Sequence, residues 1–422
     1  MQENFIEFLY SKFLQSDGIS IDTRTIEPDN LFFALKGPNF NANKYAQQAL
    51  DAGAAFAVID DPEYNTDARM ILADDAQEAL TELAIFHRSR YKRKMIAITG
   101  SNGKTTTKEL VSRVLNQKYI THATKGNLNN HLGVPLTLLG IHPQVEAAVI
   151  EMGANHVGEI AELCRIASPE HGLITNIGEA HTETFGGIEG VLRGKTELFE
   201  HLRKTGGTPL INVADERLKH MVKRFDNVVT FPAEDLKLVS ADPYIIISLG
   251  GKEVKTHLIG AYNFGNIAAA VAVGRTFSIS DDQILEAISS YIPENKRSQI
   301  IKRDGRQIIV DCYNANPTSM KAALENLSGM SGTQAVILGD MKEVENSQQK
   351  HQEVGEQVAQ MNVSKAVFIG DAMKAAHELV KNSVWFENGD AFKAEKNLNF
   401  QEDNILIKAS NSMKLDQLTD LI

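Results

Sequence analysis

The chain has 422 residues, 43% of them hydrophobic and 23% charged, and a formal net charge of −11. That length exceeds one ordinary core and predicts about two to four domains. The acidic balance excludes nucleic acid or an anionic bilayer as the main partner, so a phosphate ligand would have to be held by a few placed cations and backbone N–H groups. Two cysteines, Cys164 and Cys312, lie far apart and outside any C-x-x-C pair. They exclude a disulfide framework and a zinc ribbon, and fit a reducing, cytoplasmic compartment. The N-terminus MQENFIEFLY is acidic and no apolar run approaches membrane length, so neither a leader nor a membrane insertion is expected.

In chain order, residues 1–88 alternate short apolar runs (31–35, 54–59, 70–72) with a helical pattern over 44–52, which predicts a small α/β domain. The basic stretch Arg88-Ser-Arg-Tyr-Lys-Arg-Lys94 follows and is expected to be a solvated linker. Residues 89–293 open with the strand 95–99. Further strands at 147–150, 172–176 and 209–212, separated by helical patterns, predict a parallel sheet covered on both faces. Over 228–258 the pattern changes to short strands around Gly250-Gly251, expected as a hairpin insertion, before a helix over 263–276. In 294–422, buried strands at 307–312, 334–338, 365–369 and 404–408 predict a second, Rossmann-like open α/β sheet.

The strongest local signal is Gly100-Ser101-Asn102-Gly103-Lys104-Thr105-Thr106, which follows an apolar strand and opens a helix. Glycines let successive N–H groups converge on one point, and the helix N-terminus adds partial positive charge. Lys104 suits the β- and γ-phosphates, and the Thr105 hydroxyl suits Mg²⁺. The spacing departs from the common phosphate loop, with two residues between the glycines instead of four. Glu151 ends a buried strand, where open sheets bind ligands, and is the natural metal carboxylate. His181 follows the next strand. Lys195 lies on a helical pattern and, read from its surroundings alone, is a surface lysine.

The segments TGSNGKTTT, VIEMGANHVGEIAEL, ITNIGEAH and GKTELF together resemble the Mur ligases of peptidoglycan synthesis. KGNLNNHLGVPLTLLG, DCYNANPTSMKAAL and LGDMKEVENSQQKHQEVG are similar to the branch that joins D-Ala-D-Ala to UDP-MurNAc-tripeptide. The resemblance implies an N-terminal nucleotide-sugar domain over 1–88, a central ATP-binding domain over 89–293 and a C-terminal dipeptide and ATP domain over 294–422. It implies ATP and two Mg²⁺ ions, with Thr105, Glu151, His181 and Lys195 as metal ligands, the last as a carbamate. It places Gly100 to Thr106, Asn263, Asn266, Arg297 and Asp311 on ATP. Thr23, Arg24, Asn127, Asn129, Asn130, Tyr313, Asn314 and Asn316 fall to the other substrates, with a structural turn as the competing reading for 127–130. The expected reaction passes through an acyl phosphate in a monomer that closes over its substrates. The base that deprotonates the amine stays open between a carboxylate, His181 and the departing phosphate. Departures from the family pattern are Asn41-Ala42-Asn43, Tyr262, Glu345 and Ala409-Ser410-Asn411. Sibling ligases that add a single amino acid, a phosphate-loop kinase and a non-catalytic ATP-binding regulator are the alternatives.

Overall fold

The computed structural model describes residues 3–91, 94–293, 297–395 and 398–422. Near the N-terminus the short apolar runs pair into a four-stranded parallel sheet in the order 19–20, 31–33, 56–59, 70–72. The central sheet has six parallel strands in the order 229–231, 208–212, 171–174, 94–99, 147–151, 121–123. Its strands are nearly continuous apolar runs because helices cover both faces. Strand Lys94–Thr99 lies between Ala147–Glu151 and His171–Ile174, so the chain crosses over it in passing from one to the other. Such a reversal opens a crevice at the carboxyl ends of these strands.

The insertion is a three-stranded antiparallel sheet, 236–240, 244–249 and 252–259. The hairpin expected to begin near 228 starts later, because Val229–Phe231 instead joins the edge of the parallel sheet. The last sheet runs 299–303, 306–311, 404–408, 334–339, 365–369, 384–386, with only its first pair antiparallel. The boundary expected at 293/294 falls against residues 294–296, which lie outside the described residues.

One apolar core joins the N-terminal and central units. Leu9, Phe33 and Leu83 share it with Ile150, Leu163 and Phe199. Helix Ala76–Arg90 makes the connection by packing on central-domain helices Gly133–Leu139 and Glu159–Ala167. Arg88 corrects the solvated-linker expectation. It is buried, and its guanidinium donates to Ala167 O (2.8 Å), Ser168 O (2.9 Å) and Glu170 (2.6 Å). Lys92 and Arg93 of that stretch lie outside the described residues. The C-terminal sheet has an apolar cluster on each face, one of them reaching Ile259 and Tyr244 of the antiparallel insertion. Trp385, the one tryptophan of the chain, sits on its outer strand and donates Nε1–H to Gly370 O at 2.8 Å.

Truncating the fully buried Leu83 should therefore be felt in two units at once. Leu83→Ala is expected to cost roughly 2–5 kcal/mol. Far-UV circular dichroism should show the loss in the joint N-terminal and central transition, while Trp385 fluorescence keeps its own midpoint.

Candidate active site

Carboxyl ends of the central and C-terminal sheets face each other across a cleft of about 510 Å³. Glu151 from one sheet, and Asp311 and Lys408 from the other, line it. The loop after strand Lys94–Thr99 forms its floor. Gly100 has φ 142°, and a Cβ there would lie 2.0 Å from Thr175 Oγ1. Gly103 has φ 79°, and a Cβ would lie 2.3 Å from Asn266 Oδ1. Both positions thus need glycine for conformation and for room. Helix Lys104–Leu115 begins at the lysine itself, so its N-terminus points into the cleft.

Lys104 Nζ donates back to Gly100 O (2.8 Å) and Ser101 O (3.2 Å). Desolvation lowers its pKa to about 8, against the opposing pull of Glu151 and with a small push from Arg297. Thr105 Oγ1 and Glu151 Oε2 are buried and have no hydrogen-bond partner. The other carboxylate oxygen, Glu151 Oε1, accepts from Asn129 Nδ2 at 2.8 Å. Two hard oxygens left unpaired in a buried position fit a hard cation such as Mg²⁺, since leaving them empty is costly. Among the described residues no group of three or more His, Cys, Asp and Glu side chains could hold a metal by itself.

Lys195 is 2% exposed, which overturns the surface reading made from its local sequence. Its Nζ donates to Ala154 O at 3.0 Å and lies 5.1 Å from the Phe185 ring centroid. Desolvation, with Lys104 adding repulsion, pushes its pKa well down and favours the neutral amine. His181 lines the cleft, and its Nδ1 pairs with the Glu343 carboxylate of the C-terminal unit. Burial lowers its pKa, and Lys104 adds to that.

The asparagines divide the work. Asn127, Asn129 and Asn130 all line the cleft, and Asn130 Oδ1 also shapes the turn by accepting from Leu132 N (3.2 Å) and Gly133 N (2.9 Å). Asn266 accepts from Thr107 Oγ1 at 3.0 Å and donates to Asn263 Oδ1 at 2.7 Å, bracing the phosphate loop from helix Asn263–Thr276. Asn316 Oδ1 accepts from Ser319 N and caps helix Pro317–Ser328, and its Nδ2 donates across the cleft to Asn102 Oδ1 at 2.8 Å. Arg297 lies 3.6 Å over the Tyr313 ring, and its buried Nε is unpaired.

Ser101, Asn102, Gly103, Lys104, Thr106, Glu151, His181, Asn263, Asn266, Arg297, Asp311, Tyr313 and Asn314 all line this one cleft. Gly100, Thr105, Asn316 and Lys195 sit behind that lining. Thr23 and Arg24 do not line it. Arg24 is exposed in the N-terminal unit and chelated by its neighbour Asp22, with Nε–Oδ1 at 2.9 Å. Several cleft residues escaped the sequence reading, Lys408 and Ser298 among them. Lys408 is 1% exposed and donates to Asp311 (2.6 Å) and Asn314 O (3.1 Å). The rule that singled out Glu151, a charge at the end of a buried strand, would also have found Lys408. Ser298, bonded to the Tyr262 hydroxyl at 2.6 Å, carried no such signal.

A phosphate loop on a parallel sheet, buried oxygens suited to a cation, and a second sheet covering the cleft define a phosphate-loop nucleotide-binding enzyme of three α/β units. Family models for the Mur ligase family catalytic domain, the Mur ligase middle domain, and the Mur ligase glutamate ligase domain match residues 15–88, 98–274 and 296–411. The chain belongs to the Mur ligase family. It is 34% identical to the UDP-N-acetylmuramoyl-tripeptide–D-alanyl-D-alanine ligase of Bacillus subtilis, over 96% of this chain and 93% of that one. A crystal structure of MurF from Acinetobacter baumannii superposes with a TM-score of 0.87 at 29% identity, covering 98% and 97% of the two chains. MurF ligase from Thermotoga maritima in complex with ADP gives 0.85 at 25% identity, with 97% of each chain covered.

Desolvation of Lys104 has a measurable consequence. Above a pH of about 8 the free protein holds this lysine neutral, while a bound phosphate restores its proton. Nucleotide binding should therefore take up a proton between about 8 and the ordinary lysine value of 10.5, and weaken as pH rises through that window. Calorimetry of ADP binding in buffers of different ionisation enthalpy checks this, and Lys104→Met should abolish the uptake. Thr105→Val removes an unpaired buried hydroxyl. It should leave the free protein as stable or stabilise it by about 1 kcal/mol, while weakening magnesium-dependent nucleotide binding.

Proposed function

We infer that this chain couples ATP hydrolysis to ligation of D-alanyl-D-alanine onto UDP-MurNAc-tripeptide, giving the pentapeptide, ADP and phosphate. The observation that carries this reading is the single cleft in which Lys104, Glu151, His181, Asp311 and Asn314 meet, in a chain whose relatives of that activity match it from end to end. The terminal carboxylate of the tripeptide attacks the γ-phosphorus of ATP, ADP leaves, and an acyl phosphate forms. The dipeptide amine then attacks the acyl carbon, loses a proton and expels phosphate.

Each step sets a task for residues of this chain. Lys104 and the N–H groups of the phosphate loop offset the negative charge that would otherwise repel the carboxylate. Arg297 and Asp311, which line the cleft, would take the nucleoside on the C-terminal side, with Lys408 holding the Asp311 carboxylate in place. Thr105, Glu151, His181 and Lys195 would hold magnesium, Lys195 after its neutral amine adds CO₂ and loses a proton to become a carbamate. Magnesium, when bound, supplies charge that neutralises the phosphate oxygens and polarises the transferred phosphoryl group. Closure of the C-terminal unit over the central one excludes water and protects the acyl phosphate.

In this reading the unit over 1–88 takes the nucleotide sugar, with Thr23 and Arg24 on it, 89–293 takes ATP, and 294–422 takes the dipeptide and part of ATP. The enzyme works as a cytoplasmic monomer, where its nucleotide substrates are found. Among the described residues no helix is long and apolar enough to cross a membrane.

Phosphate release with Mg·ATP and UDP-MurNAc-tripeptide should depend on D-Ala-D-Ala and yield a pentapeptide by mass. Release that ignores the dipeptide would overturn the reading. Lys195→Ala should fold normally and lose activity by about 10³-fold or more, the scale of removing a group that works only in the transition state. Ordinary turnover in that variant would refute the carbamate.

A further inference from the structure

The cleft is shut along a seam where central-domain loop 176–182 meets two segments of the C-terminal unit. Glu179 N donates to Thr318 Oγ1 at 3.0 Å, and the Glu179 carboxylate pairs with Lys350 at 3.0 Å. Glu345 N donates to Thr182 Oγ1 at 3.3 Å. The approach is close enough that a Cβ on Gly178 would lie 2.9 Å from Thr318 Oγ1. Amid these contacts His181 Nδ1 meets the Glu343 carboxylate, joining residues 162 positions apart.

Both ends of that contact hold the left-handed backbone conformation, with φ 56° at His181 and 58° at Glu343. Histidine visits this region more readily than most residues, but glutamate has no such preference. Burial does not pin Glu343, whose side chain is 53% exposed. Backbone strain at an exposed glutamate persists only where its surroundings demand it. Here the left-handed turn directs the carboxylate across the seam.

We propose that Glu343 is a positioning residue for His181: its carboxylate takes Nδ1, fixes the ring, and leaves Nε2 to the cleft only while the C-terminal unit is docked. This rests on the reading of His181 as a magnesium ligand. A carboxylate on one nitrogen of a ligand histidine sets the tautomer and ring plane and strengthens the other nitrogen as a donor. Nε2 makes no hydrogen bond among the described residues, and His181 lines the cleft. The orienting group ordinarily comes from the same framework as its histidine. Here it comes from another domain, so docking itself completes the metal site.

The test uses full-length protein, a non-hydrolysable ATP analogue and Mn²⁺ as a paramagnetic probe. Mn²⁺ affinity of the protein–analogue complex is measured by electron paramagnetic resonance in wild type, E343A, E343Q and H181A. Affinity should fall about 10-fold or more in E343A, the scale for losing such a partner. E343Q should recover most of it, because its carbonyl oxygen still accepts from Nδ1–H. Analogue binding without metal should stay at the wild-type level in both. If H181A weakens Mn²⁺ binding but E343A does not, or if E343Q fails as fully as E343A, the proposal is overturned. If H181A itself binds Mn²⁺ like wild type, the metal reading of His181 falls and the proposal falls with it.

Discussion

Desolvation is the constraint on which this cleft depends. Lys104, Lys195 and His181 are all pushed toward their neutral forms, with burial the largest cause for each. Thr105 and Glu151 keep buried oxygens without partners. Such groups cost stability, on the order of 1–3 kcal/mol for each unpaired one. The rest of the fold offsets that cost with continuous apolar strands behind the site and a core that reaches across two units. A low-dielectric hollow with unspent donors and acceptors strengthens every charge interaction formed inside it. This is the physical sense in which the site is prepared before any ligand arrives.

The same logic separates two kinds of polar contact around the cleft. Some are spent within the protein: Asn266 bracing the phosphate loop and Lys408 neutralising Asp311. These fix geometry. Others are half spent. Glu151 gives one oxygen to Asn129 and keeps the other, Arg297 stacks on Tyr313 with Nε free, and His181 gives Nδ1 to Glu343. The half-spent groups keep a donor or acceptor unused, and each is oriented by its satisfied half.

Much of this was legible in the sequence because the fold and the site obey the same rule. Long apolar runs mark buried parallel strands, and ligands gather at their carboxyl ends, so locating strand 147–151 also located Glu151. The misses have physical reasons. Strands 121–123 and 299–303 lie at sheet edges and are partly exposed, so they carry no apolar run, and the edge strand Val384–Phe386 is apolar but only three residues long. Val229–Phe231 lies too close to the antiparallel insertion for a local pattern to separate them. Arg88 looked like one charge in a basic linker, yet its partners are carbonyl oxygens about 80 residues away, which no window can see. Lys195 looked exposed by helical period and is buried because loop 153–158 and Phe185 close over it. Glu343 offered no signal, since its partner belongs to another domain.

The unequal joints between the three units bear on how such a protein could be assembled by recombination. Helix Ala76–Arg90 belongs to the first unit by sequence and to the second by packing, and Arg88 rivets it there. A donor replacing residues before 88 would have to match the surface of helices Gly133–Leu139 and Glu159–Ala167 as well as its own sheet. The C-terminal sheet meets the cleft largely through short polar handshakes, which a foreign unit could satisfy with few changes. Exchange of specificity between lineages should therefore be easier at the end of the chain than at its beginning.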